Sequence, residues 1–124
     1  MKFCIIDDDP TILKMITAVL GKAGHEVVTE TSGHRAIETA LAAKPDCVIT
    51  DMMMAPVDGL EICQSMRRHP ELKDVPIIML SSNTKEKAYW EQRAKEFGAD
   101  GYMAKPITPG FVEDLQKLIE ESER

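Results

Sequence analysis

The stretch KFCIIDDDP, Lys2 to Pro10, runs a short apolar segment into three consecutive carboxylates and then a proline. A brief apolar run closed by polar residues reads as a buried strand. Proline suits the first turn of a helix, because the N–H it lacks is one that a helix start leaves unpaired anyway. Residues 10–23 supply that helix, with Leu13, Ile16, Val19, Leu20 and Ala23 at helical spacing and Gly24 as its stop. A strand and a helix are thereby joined at three acids, whose mutual repulsion calls for a cationic partner.

The same unit recurs along the chain. Residues 26–30 are rich in Val and Thr, and residues 34–43 place Ala36, Ile37, Ala40 and Leu41 on one helical face before Pro45. Residues 47–50 read as a buried strand, followed by a loop with Pro56 and Gly59 and a helix over about 60–69. Pro76 introduces the apolar IIML; Asn83 and Glu86 are then spaced as an N-cap and its reciprocal partner for a helix running to Phe97, ended by Gly98. Residues 101–104 form a fifth strand, and Thr108-Pro109 opens a last helix with Phe111, Leu115, Leu118 and Ile119 on its buried side. Strands alternating with helices predict an α/β fold with a five-stranded parallel sheet, doubly wound, helices on both faces, and one domain over residues 1–124.

Composition narrows the chemistry. A net charge of −6 opposes direct nucleic-acid binding and attraction to anionic membranes. No apolar run approaches the roughly 20 residues of a membrane span, and a cytoplasmic protein is expected. Cys4, Cys47 and Cys63 sit in apolar stretches without C-x-x-C spacing and read as buried free thiols. His25, His34 and His69 form no metal-ligand pair.

In a doubly wound sheet, polar ligands bind at the carboxyl ends of the strands. Strand one ends in Asp7, Asp8 and Asp9, strand three in Asp51, strand four in Ser81 and Ser82, and strand five at Lys105-Pro106. Strand two ends in Glu30-Thr31-Ser32, which takes no evident role. If the strand order is flavodoxin-like, 2-1-3-4-5, then Asp7, Asp8 and Asp51 converge. A hard divalent cation such as Mg²⁺ accepts carboxylates, a carbonyl and waters while keeping positions open for phosphate oxygen. Lys105 adds a second cation and Ser81 a hydroxyl donor. Phosphoryl transfer asks little more of a protein than positioning and charge neutralisation, with Asp51 as the nucleophile. Asp9, ahead of Pro10, suits a helix cap, Asp58 a turn before Gly59, and Met52, Met53 and Met54 apolar packing.

The motifs IIDDDP, VITDMMMAPVDG, PIIMLSS and GYMAKP resemble the receiver domain of two-component response regulators, over essentially the whole chain. The resemblance implies that Asp51 accepts phosphate from the phosphohistidine of a sensor histidine kinase or a histidine phosphotransfer protein. It implies that Asp7, Asp8, Asp51 and the main-chain carbonyl of Met53 hold Mg²⁺, with Mn²⁺ as a substitute, and that no organic cofactor is bound. Ser81 and Lys105 would contact the phosphoryl group, and Ser81 and Tyr102 would form the switch that remodels a face of the fourth helix, fifth strand and fifth helix for a downstream protein partner. Met53 and Asn83 lie where side chains of the family influence phosphate hydrolysis.

Two departures stand out. The family's Met-Pro is here Met54-Ala55, with the proline displaced to Pro56, and the distance from Ser81 to Lys105 is longer, with extra residues around Tyr89 and Trp90. Competing readings are a degenerate receiver that acts as an interaction module without phosphate, a Mg²⁺-dependent phosphohydrolase, and a flavin-binding domain. The phosphohydrolase needs a second acid at position 53, which is Met, and a flavin phosphate wants a Ser/Thr/Gly-rich loop where this chain has acids.

Overall fold

The computed structural model describes residues 1–82, 85–105 and 107–122. Its strands are β1 (Lys2–Ile6), β2 (Glu26–Glu30), β3 (Cys47–Asp51), β4 (Ile77–Ser81) and β5 (Gly101–Ala104). Its helices are α1 (Pro10–Lys22), α2 (Ala36–Ala43), α3 (Gly59–Arg67), α4 (Lys87–Glu96) and α5 (Phe111–Glu121). The strands form one parallel sheet in the order β2-β1-β3-β4-β5, the flavodoxin-like order expected.

β3 and β4 are buried along their whole length, which is why they read as continuous apolar runs and not as alternating ones. Successive residues of each strand serve opposite layers. Cys4, Ile6, Val48 and Met79 share a core with Ala40 of α2, Cys63 and Met66 of α3 and Ala94 of α4. Phe3, Ile5, Ile49 and Leu80 share the other with Leu13, Ile16 and Leu20 of α1 and Phe111 and Leu115 of α5. Ile16 and Leu20 are fully buried, each contributing roughly 1.5–3 kcal/mol. All three cysteines are buried and none is in a disulfide, and burial pushes the Cys4 and Cys47 thiols well up, so neither of those two is a ready nucleophile.

At the amino edge of the sheet Arg67 acts as a clamp. Its Nη2 pairs with Asp100 Oδ2 at 2.7 Å, while Nε donates to the Gly98 carbonyl at 2.9 Å and Nη1 to the Val75 carbonyl at 2.7 Å. Asp100 Oδ2 also accepts the Ile77 N–H at 2.9 Å, so one ion pair fastens α3 to the loops entering β4 and β5.

Helix starts depart from the sequence expectations in three places. The segment expected to be helical from His34 begins as a 3₁₀ turn, Gly33–Arg35, before α2 proper. α4 starts at Lys87, with Glu86 before it in the left-handed region at φ 56° and making no side-chain cap bond. A left-handed residue cannot lie inside a right-handed helix, so Glu86 does not act as the reciprocal partner of a cap. Asn83 lies outside the described residues. α5 starts at Phe111 and not at Thr108-Pro109, because the Thr108 carbonyl accepts the Phe111 N–H at 3.0 Å and closes a turn ahead of the helix. Asp9 does cap α1, its Oδ1 accepting the Thr11 N–H at 2.9 Å with Pro10 in the first turn. Among the described residues no helix is long and apolar enough to cross a membrane.

Candidate functional site

Register aligns the carboxyl ends of the strands. Ile6 pairs with Thr50, Asp51 with Leu80, and Ser81 with Ala104, so the residues that end β1, β3, β4 and β5 emerge at one edge. Asp7, one residue past β1, is fully buried. Its main chain donates to the Glu30 carbonyl at 3.1 Å, and its Oδ1 accepts the Asp9 N–H at 2.9 Å. Asp51 closes β3 at 5% exposure, whereas Asp8 is exposed. Carboxylate oxygens of Asp7, Asp8 and Asp51 all lie within 4.8 Å of one another.

Lys105 reaches this cluster from the end of β5, where its main-chain N–H donates to the Ser81 carbonyl at 2.8 Å. Its Nζ lies 2.8 Å from Asp7 Oδ2 and 3.3 Å from Asp51 Oδ1. Burial alone would lower the Lys105 ammonium, but the Asp7 contact and the charges of both carboxylates outweigh it and hold the group above its ordinary range. Asp51 goes the other way. Burial and the neighbouring Asp7 charge push its carboxyl up to about 6, against the opposing pull of Lys105 and of the Met53 N–H that donates to it.

One ammonium against three carboxylates leaves the cluster two positive charges short when all are ionised. The donors are hard oxygens on rigid strand ends with one exposed member, which fits a divalent cation such as Mg²⁺ and gives soft metals no thiolate or imidazole. Ser81 is buried at the end of β4, and Tyr102 is buried in β5, in register with Met79. Beside Tyr102 a groove of about 470 Å³ runs between β5 and α5, lined by Lys87, Tyr102, Ala104, Phe111, Lys117 and Leu118. A second groove, of about 430 Å³, lies near Leu41, Pro45 and Leu72 at the far, amino end of the strands, away from the acids.

The loop from β3 to α3 differs from its sequence reading at one methionine. Met52 and Met54 pack inward, but Met53 is 55% exposed, because its neighbours on both sides occupy the inward positions. The Ala55-Pro56 bond is cis. Asp58, expected in a turn, caps α3, its Oδ1 accepting the Glu61 N–H at 2.9 Å. Gly59 lies so close to β3 that an added Cβ would strike the Asp51 carbonyl oxygen and come 2.9 Å from Met52 Cα.

Two participants escaped the sequence reading. Thr50 is fully buried and donates its hydroxyl to the Asp51 carbonyl at 3.1 Å; a hydroxyl inside an otherwise apolar strand, directly before the acid, was its only signal. Glu30, at the end of β2, receives the Ser32 N–H at 3.0 Å and the Thr39 hydroxyl at 2.6 Å, and Arg35 Nε lies 3.8 Å from it. Burial works against its ionisation, but the Thr39 and Ser32 bonds and Arg35 hold the carboxyl below the usual range. The acid-Thr-Ser strand end was visible in the sequence, but its partner Thr39 is a helical turn and a loop away.

A family model of the response regulator receiver domain matches residues 3–120. The chain is 32% identical over 118 residues to the alkaline phosphatase synthesis transcriptional regulatory protein PhoP of Bacillus subtilis, covering 95% of this chain and 48% of that protein. It thus spans about half the length of that curated relative. It is 31% identical to protein PilG of Pseudomonas aeruginosa, over 87% of this chain and 78% of that one. Among solved structures, chemotaxis response regulator CheY4 of Vibrio cholerae superposes with a TM-score of 0.87 at 32% identity, covering 94% of this chain and 97% of that one. The BeF3-activated N-terminal receiver domain of RstA from Klebsiella pneumoniae gives 0.83 at 31% identity, covering 95% and 97%.

Proposed function

Since this chain belongs to the response regulator receiver domains of two-component signalling, we propose that Asp51 is its phosphoacceptor and that residues 1–124 act as one receiver domain. The donor is the phosphohistidine of a sensor histidine kinase or a histidine phosphotransfer protein. A carboxylate oxygen of Asp51 attacks phosphorus, the nitrogen–phosphorus bond breaks, and the imidazole leaves with the bonding pair, so that an acyl phosphate remains on Asp51. Asp7, Asp8, Asp51 and the main-chain carbonyl of Met53 would hold Mg²⁺, or Mn²⁺ in its place, and the bound ion supplies positive charge toward the phosphoryl oxygens.

The observation that carries this reading is Lys105 Nζ set between the buried carboxylates of Asp7 and Asp51. Once Asp51 is phosphorylated, Lys105 keeps Asp7 as a partner and gains a phosphoryl oxygen in place of the lost carboxylate. Ser81 donates its hydroxyl to another phosphoryl oxygen, and with Tyr102 forms the switch. Movement at the end of β4 and in β5 is felt in the groove beside Tyr102, which fits the α4, β5 and α5 face as the surface a downstream protein partner reads. The domain modifies only itself and turns over no separate metabolite. The fold and the net charge of −6 are in keeping with a cytoplasmic protein that does not bind nucleic acid directly through this domain.

The test is intact mass after incubation with acetyl phosphate and Mg²⁺, beside Asp51→Asn and an EDTA control. A gain of one phosphoryl group that both controls abolish is the expected result. No gain in a folded protein, with acetyl phosphate or a kinase, would leave an interaction module that works without phosphate. Beryllofluoride, named with the RstA domain, is the matching non-covalent probe.

A further inference from the structure

We propose that Gly33 is a positioning residue for the Asp51 site: its bare α-carbon seats the β2–α2 loop against Val57, and that contact sets the loop carrying Met53. The inference rests on the reading of Asp51 as phosphoacceptor. Gly33 is not one of the glycines with positive φ, so its backbone conformation does not require glycine. Space does. A Cβ at Gly33 would lie 2.7 Å from the Val57 carbonyl oxygen and 3.0 Å from Val57 Cβ, and a main-chain carbonyl cannot swing aside as a flexible side chain would.

Both sides of this contact are fastened. On one side, Glu30 takes the Asp7 N–H on its carbonyl and holds Ser32 and Thr39 with its carboxylate, so the β2–α2 loop is tied to Asp7, one of the site's own carboxylates. On the other, the Gly59 N–H donates to the Met52 carbonyl at 2.9 Å, and α3 presses directly on the Asp51 main chain. A push at Val57 is therefore not absorbed at the α3 end. It is carried into residues 53–56, where the Met53 N–H holds the Asp51 carboxylate.

The experiment measures Mg²⁺ binding by calorimetry, acetyl phosphate labelling of Asp51 by intact mass, and urea unfolding in EDTA, for the parent and Gly33→Ala. Expected are a weakening of Mg²⁺ affinity by about tenfold and slower labelling at saturating Mg²⁺, the size seen when groups that orient metal ligands are altered. A purely structural role would lower the urea midpoint and leave the Mg²⁺ affinity alone, and that pattern overturns the proposal. If Gly33→Ala does not fold, Thr39→Val takes its place, since it removes a hydroxyl held by Glu30 without changing charge. Mg²⁺ affinity and labelling equal to the parent's would then overturn it as well. A parent that itself neither binds Mg²⁺ nor labels sinks the receiver reading, whereas a competent parent with an equally competent variant sinks only the role of Gly33.

Discussion

Removing the Asp51 charge should stabilise the metal-free protein, even though it also removes a partner of Lys105. The carboxyl is raised from 3.8 to about 6, chiefly by burial and by Asp7, so the folded state binds a proton more tightly than the unfolded state does. The contribution of Asp51 to the parent's stability therefore falls as pH rises from about 4 through about 6, and stays reduced above that. Two units of pKa correspond to about 3 kcal/mol at neutral pH, and the amide introduced by Asp51→Asn imitates the uncharged acid. With about 2.1 cal/mol/K of unfolding entropy per residue, a chain of this length gains about 4 °C per kcal/mol. Asp51→Asn should then melt about 11 °C higher than the parent in EDTA at pH 7.5, the advantage shrinking to roughly half by pH 5. Saturating Mg²⁺ should close the gap by stabilising the parent more than the variant, since only the parent offers all three carboxylates. Thermal melts followed by circular dichroism at both pH values, in EDTA and in Mg²⁺, provide the measurement. A variant that melts below the parent in EDTA at pH 7.5 would show that the Lys105 pair outweighs burial and the Asp7 repulsion, and the reasoning would fail.

Arg67→Met removes the cationic partner of Asp100, whose side chain is 7% exposed, and should cost about 3–5 kcal/mol in urea unfolding. Mg²⁺ affinity should stay unchanged, because the clamp lies at the other end of the strands. Asp9→Ala removes the cap of α1 and should cost about 1 kcal/mol with no loss of acetyl phosphate labelling; a large loss of labelling would make Asp9 a metal ligand after all. Met53→Asn should speed loss of the phosphoryl group several-fold, since Met53 is exposed beside Asp51 and its thioether cannot orient an attacking water. Decay of the labelled variant at the parent's rate, followed by intact mass after donor removal, would count against that role.

Much of this protein was legible in the residues because its signals are local. Apolar runs of strand length, helical spacing between them, and acids placed where strands stop dictate a doubly wound sheet with its polar site at the carboxyl edge, and β2 and β5 match their expected limits to the residue. Asp9 and Pro10 announced a helix start for the same reason, since a cap acts within two residues of itself. Glu86 did not obey the local rule, because its left-handed backbone puts it outside α4. What the chain order could not settle were contacts between segments distant in sequence. Register decided that Lys105 stands between Asp7 and Asp51, and packing of one loop against another decided that Gly33 has no room for a side chain. The raised Asp51 carboxyl has the same origin. Its type and position follow from the sequence, but its burial and its distance from Asp7 exist only once β1 and β3 lie side by side.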